Sequence, residues 1–226
     1  MDNIDKYKVD YSQTSQFPGI RIRYEYLLEG IEYAQKNNIV DICVWGGTNT
    51  ERQTVNFDFL ERREFIKTFH WIVPLTKQSN IKGIYFLTNL TNFRWAVDND
   101  FDIDFSKLSF IEKLNITFSS KLVKLEKLIS LKELYIQSVK TKDCSFLSGF
   151  LNLAKLRIIN GHFDSLKGLE NCENLKNLSL VKCTNLTEIS STLSKLKKIE
   201  FLILDKCKKL IFDKKDLPIK NISIIK

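Results

Sequence analysis

The chain has 226 residues, 43% hydrophobic and 27% charged, with 35 Lys and Arg against 27 Asp and Glu. That composition excludes a disordered chain, and no apolar run approaches the ~20 residues that a membrane-spanning helix needs. The net charge of +8 is uneven: residues 1–110 hold 13 basic and 15 acidic side chains, residues 111–226 hold 22 and 12. A basic half of this kind reads either as a polyanion-binding surface or as the solvated outside of a Lys-rich scaffold. Scattered single lysines favour the second, because nucleic-acid grooves interleave Arg with exposed aromatics. Five cysteines without a C-x-x-C spacing, and an opening Met1–Lys6 that is neither basic nor apolar, lead to the expectation of a reducing, cytoplasmic setting.

Residues 1–20 are polar and turn-rich and predict an irregular arm closed by Pro18-Gly19. From Arg21 to Asn37, Tyr24, Leu27, Leu28, Ile31 and Ala34 fall at helical spacing, which predicts an amphipathic helix acting as an N-terminal cap. Ile39, Ile42 and Val44 fit a first strand, followed by a turn at Gly46–Asn49. Val55, Phe57 and Phe59 alternate as a short extended piece would. Leu60, Ile66, Phe69 and Trp71, with Arg63 in an apolar slot, read either as a degenerate repeat or as a plain helix over 60–72.

Cleaner copies follow. Leu147, Phe150, Leu153, Leu156 and Ile158 fall at offsets 0, 3, 6, 9 and 11. The same offsets recur from Ile84, Phe105, Leu125, Leu169 and Leu193, and Ile219, Ile222 and Ile224 keep the strand core alone. Each copy is one coil that cannot bury its apolar side without stacking on its neighbours. The L-x-L of each copy predicts a short parallel strand with its leucines inward and the intervening residues outward. The upstream L-x-x-L predicts a turn or short helix on the opposite side.

On these residues the chain resembles a leucine-rich repeat protein. The ninth position of that family's motif, an Asn or Cys that satisfies buried backbone groups, holds Cys183 and Cys207 here; elsewhere it holds Asp98, Ser119, Val139 and Gly161. The resemblance implies an α/β leucine-rich repeat solenoid, curved, with parallel strands on a concave binding face and short helices or turns outside. The expected organisation is a single domain, with residues 1–38 as arm and capping helix and 39–226 as about eight coils.

The outward strand positions form three columns. From them, Asp41, Trp45, His70, Arg94, Lys113, Glu133, Tyr135, Lys155, Arg157, Phe201 and Asp205 are the expected partner-binding residues, being large or charged types that dominate protein interfaces. Two histidines four coils apart, His70 and His162, with no metal-ligand spacing and no nucleophile or phosphate-cradling motif, point away from an enzyme, from cofactors and from metal. Asp98, Asp100, Asp102 and Asp104 resemble a calcium loop only superficially, since Ile103 stands where Gly is needed and Ser109 where the bidentate Glu belongs. The expected function is non-enzymatic protein binding. Resemblance to stand-alone bacterial proteins of this type implies an immunity protein that neutralises a cognate toxin. The alternative is nucleic-acid or anionic-surface binding through a stripe of Lys113, Lys155, Arg157 and Lys176. At the C-terminal end an uncovered last strand is expected, blunted by Lys214, Lys215, Pro218 and Lys220.

Overall fold

The computed structural model describes residues 6–47, 51–97, 101–213, 215, 217 and 219–225. The chain divides into two compact units, Met1–Asp102 and Ile103–Lys226. In the first, β1 (Tyr7–Asp10), β2 (Gly19–Arg23), β3 (Asp41–Trp45), β4 (Thr68–Trp71) and β5 (Asn92–Trp95) form a sheet in that order. Strand β1 pairs antiparallel with β2, and the remaining pairs are parallel. Helix α1 (Leu27–Lys36) lies in the connection between β2 and β3, the place of a crossover helix in a β-α-β unit.

Residues 7–10 and 19–20 are therefore strand where an irregular arm is expected, and the helix begins six residues later than its spacing implies. The reason is local. Ile20 and Ile22 alternate with Arg21 and Arg23, a period-2 pattern that buries both isoleucines fully in the sheet. Leu28, counted on the apolar face, is exposed, while Leu27, Ile31 and Ala34 are buried. Over 60–72 the repeat reading holds rather than the helix. Leu60 closes a short 3-10 turn, Phe57–Leu60, and Phe69 and Trp71 face inward from β4.

The core of this unit is aromatic. Phe57 lies 4.6 Å from Trp71 and 5.6 Å from Trp95 (ring centroids), with Phe69 and Phe93 alongside their strand-mates, and all five are fully buried. Gly83 lets the chain pass under this cluster, since a Cβ there would lie 2.0 Å from the Phe57 carbonyl oxygen.

In the second unit, β7 (Lys113–Thr117), β9 (Glu133–Gln137), β10 (Lys155–Ile159), β11 (Asn177–Val181), β12 (Phe201–Asp205) and β13 (Asn221–Ile225) form an all-parallel sheet without register slips. Two-residue strands β6 (Ile103–Asp104) and β8 (Leu122–Val123) pair separately. Short 3-10 turns at Phe105–Lys107, Leu125–Lys127 and Leu169–Asn171 open the L-x-x-L segments of their copies, while the turn Ser145–Leu147 and the four-residue helix α2 (Ser190–Leu193) end on the first residue of theirs. The five framework residues of each full copy are buried, and the core is mostly Leu and Ile, with Cys and the single rings of Phe105, Phe150 and Phe163. The last copy departs from the rest, for Ile224 is exposed.

The coils are tied by two ladders of backbone groups. Asn89, Asn152 and Asn174, each just before the third framework position, donate Nδ2–H to a carbonyl of the preceding coil at 2.8–2.9 Å. Lys198 fills that slot in the following coil and donates to Asn174 Oδ1 at 2.6 Å. The second ladder follows the strands. Ser138, Asn160, Lys182 and Lys206 each adopt a left-handed conformation, with φ between 54° and 59°. Each N–H bonds to the next coil at 2.7–2.9 Å, to Ile159, Val181, Asp205 and Ile225 oxygens. A left-handed non-glycine residue costs about 1–2 kcal/mol, and the regular bonding is what offsets it.

The ninth-position cysteines behave as the motif implies. Cys183 is buried, and Cys207 reaches back to the Leu180 carbonyl at 3.5 Å. Val139 and Gly161 are buried in the same place, whereas Asp98, with Asp100, lies outside the described residues, as do Lys214 and Pro218. Phe101 and Ile103 are buried, and Asp104 accepts from Ser106 and pairs with Lys124 at 3.2 Å. Among the described residues, no helix is long and apolar enough to cross a membrane.

Candidate partner surface

In a parallel sheet without slips, residues at equal strand positions stand side by side, so a surface is composed column by column. The register produces the expected columns in both units. In the first, Arg21, Cys43, His70 and Arg94 align, as do Asp41, Thr68 and Asn92, and Arg23 with Trp45. In the second, the leading column runs Lys113, Glu133, Lys155, Asn177, Phe201 and the central one Asn115, Tyr135, Arg157, Ser179, Ile203. Asp205 stands in the trailing column beside Val181 and Ile225.

The two sets differ in exposure. In the first unit the chain before β2 turns back over the strand face. Phe17 is 5% exposed and its ring sits 4.7 Å from that of His70. Tyr11 donates to Asp41 at 3.3 Å, and a Cβ on Gly19, whose φ is +137°, would strike the Asp41 carbonyl at 2.4 Å. Cys43 and Thr68, placed outward by the pattern, are buried, and His70 is partly so. Burial, with Arg94 nearby, pushes the His70 pKa down from 6.5 to about 4, against the opposing pull of Asn92 and Asp41. Burial likewise pushes the Cys43 thiol up to about 11. Trp45 is engaged by the Arg21 guanidinium 4.8 Å above its ring, and Arg94 keeps a buried Nε with no partner among the described residues. Asp41, His70 and Trp45 are thus occupied by the protein's own N-terminal segment. Position in the repeat could not show this, because the covering residue, Phe17, lies outside the repeat.

In the second unit the same columns are open. Tyr135, Arg157, Phe201 and Ile203 surround a depression of about 190 Å3, floored by Leu156, Leu178 and Ser179 and edged by Lys155 and Asn177. That volume is well below the ~300–1,000 Å3 of sites for drug-sized ligands; it has room for one side chain. Tyr135 is 39% and Phe201 45% exposed. Glu133 stands between Lys113 and Lys155 and pairs with both, at 3.3 and 3.4 Å. Lys176 faces Glu200 at 3.9 Å. The stripe is therefore neutralised in part, and Arg157 alone of its four members forms no ion pair among the described residues. Asp205 is half-buried, its Oδ1 without a hydrogen-bond donor among the described residues.

Among solved structures, a similar chain is an internalin (inlF) from Listeria monocytogenes, itself a leucine-rich repeat protein. The match has a TM-score of 0.52 at 17% identity and covers 79% of this chain. The fold is leucine-rich-repeat-like. This chain spans 55% of the internalin's length, about half, and at such identity the likeness carries the fold alone. The sequence matches no protein-family model and no curated protein.

The cysteines of the second unit are structural. Burial pushes Cys144 and Cys172 upward, Cys172 to about 12. Cys183 and Cys207 interact, which together with burial raises Cys183; the same interaction lowers Cys207.

Proposed function

We propose that this chain is a non-enzymatic protein-binding module whose partner surface is the open strand face of the second unit. One observation carries the reading: Tyr135 on β9, Arg157 on β10 and Phe201 and Ile203 on β12 are held within four successive strands around a depression of one-side-chain size. Exposed aromatics and an Arg on a rigid sheet are the residues that concentrate binding energy, and little ordering is required of them on association. The partial neutralisation of Lys113, Lys155 and Lys176 favours a protein over a nucleic acid, whose backbone rewards unpaired cations. In the finer form, supported by the resemblance to stand-alone bacterial repeat proteins, the partner is a cognate toxin domain and the chain is its cytoplasmic immunity protein.

Co-expression with the product of the neighbouring gene, followed by co-purification and titration, tests this. A complex is expected, and Phe201→Asp or Arg157→Glu should weaken it about 30-fold or more, the ~2 kcal/mol of a hot spot. Absence of any complex removes the toxin partner. A complex indifferent to both variants removes the strand face of the second unit.

A further inference from the structure

A second surface of this unit lies beyond the ends of its strands. The left-handed residue that follows each strand, and the residue two positions later, line a groove of about 440 Å3 crossing four successive coils. Four of its eight lining residues are lysines: Lys140, Lys182, Lys206 and Lys208. The others are Ser138, Asn160, Thr184 and His162, so the groove is lined by cations and neutral polar groups and by no carboxylate. None of the four ammonium groups makes an ion pair or hydrogen bond among the described residues. This contrasts with the strand face, where Glu133 serves two lysines at once.

The spacing is set by the backbone. Each left-handed residue is fixed by an N–H bond to the next coil, which sets Lys182 and Lys206 one coil apart, with Lys208 two residues beyond Lys206 and Lys140 two coils before Lys182. Four strands about 4.8 Å apart give a row roughly 15 Å long, the reach of four to five residues of extended chain. A small inorganic anion would meet one or two of these ammonium groups; an extended polyanion meets them all. Nucleic acid is the less suitable chain, because the groove offers no aromatic platform for bases and no Arg fork for phosphates. Lysines act as point charges for carboxylates, and Ser138, Asn160 and Thr184 supply hydrogen-bonding groups for a peptide backbone.

We propose that this groove binds an extended acidic peptide segment, rich in Asp and Glu, of a partner protein. The inference rests on the protein-binding reading only in making the occupant a protein; the groove is separate from the Tyr135–Phe201 depression and is tested without the cognate partner. The probe is a fluorescein-labelled octaglutamate titrated against the full chain by anisotropy, with an oligoribonucleotide of about equal charge in parallel. Binding is expected that weakens as salt is raised. The triple variant Lys182→Gln, Lys206→Gln, Lys208→Gln should weaken it about tenfold or more. The charge-matched control Lys195→Gln, Lys197→Gln, Lys198→Gln should change it less than about twofold. Equal loss in both triples would mean that binding follows net charge and would overturn the groove. Tighter binding of the oligoribonucleotide, lost in the groove triple, would overturn the peptide as occupant, and absence of binding to either probe would overturn the site. Should Phe201→Asp abolish the cognate complex while the probe result fails, the strand face stands and the groove alone is lost.

Discussion

The two units carry the same columns of outward-facing residues on parallel strands, yet only one leaves them open. In the first, Phe17 and Tyr11 fold back onto His70 and Asp41, and the interior behind the sheet is aromatic, built on Phe57, Trp71 and Trp95. In the second, the interior is mostly Leu and Ile with isolated rings such as Phe105, Phe150 and Phe163, and Tyr135, Phe201 and Ile203 stand exposed around a shallow depression. A repeat scaffold therefore fixes where side chains stand, and what lies across them decides whether they are available. The same contrast holds for charge. Arg21 is spent on Trp45 in the first unit, whereas Arg157 in the second has no ion-pair partner among the described residues.

The contrast can be pressed hardest at the aromatic interior. Trp71→Ala should cost about 3–5 kcal/mol in chemical denaturation, since Trp71 is fully buried against Phe57 and its Nε1–H is bonded to the Val73 carbonyl at 2.8 Å. A loss below about 1 kcal/mol would show that the aromatic cluster is not the core of its unit.

The covered face has its own signature in acid. His70 is held neutral in the folded state with a pKa of about 4 against an ordinary 6.5. Between these values the unfolded chain binds the proton and the folded chain does not. The stability that His70 contributes is complete above about pH 6.5 and declines as the pH falls to about 4, by at most about 3 kcal/mol. Phe17→Ala should uncover the ring and move its titration, followed by the imidazole proton resonances, back toward 6.5. An unmoved titration would mean that something other than Phe17 buries His70.

The smallest effect concerns thiols. Cys207 is half-buried and its pKa is lowered by its interaction with Cys183, while Cys43, Cys144, Cys172 and Cys183 are buried and raised. Brief alkylation of the native protein should label Cys207 first, as peptide mapping would reveal. Equal labelling of Cys43 would indicate that the face of the first unit opens in solution.

Most of the strand positions were legible before any coordinates, because each L-x-L must put its leucines inward and a slip by one residue would turn them all out. The register of Lys113 with Glu133 and Lys155, and of Tyr135 with Arg157, follows from that alone. The strand at Gly19–Arg23 was concealed because Tyr24, Leu27 and Ile31 extend a helical spacing backward into it, although Ile20-Arg21-Ile22-Arg23 carries the period-2 signal. The asparagine ladder was missed at Asn89, Asn152 and Asn174 because the family motif draws attention to the ninth position, held here by Cys183 and Cys207.

By itself, then, the sequence determined the coil, its strands, its buried leucines and the identity of each outward column, since periodicity is a local property enforced by hydrophobic burial. Only the tertiary structure decided which columns are free. That Phe17 closes over His70, that Glu133 pairs with two lysines, and that Lys182, Lys206 and Lys208, 42 to 68 residues beyond Lys140, line one groove with it are contacts between distant parts of the chain, on which local spacing is silent.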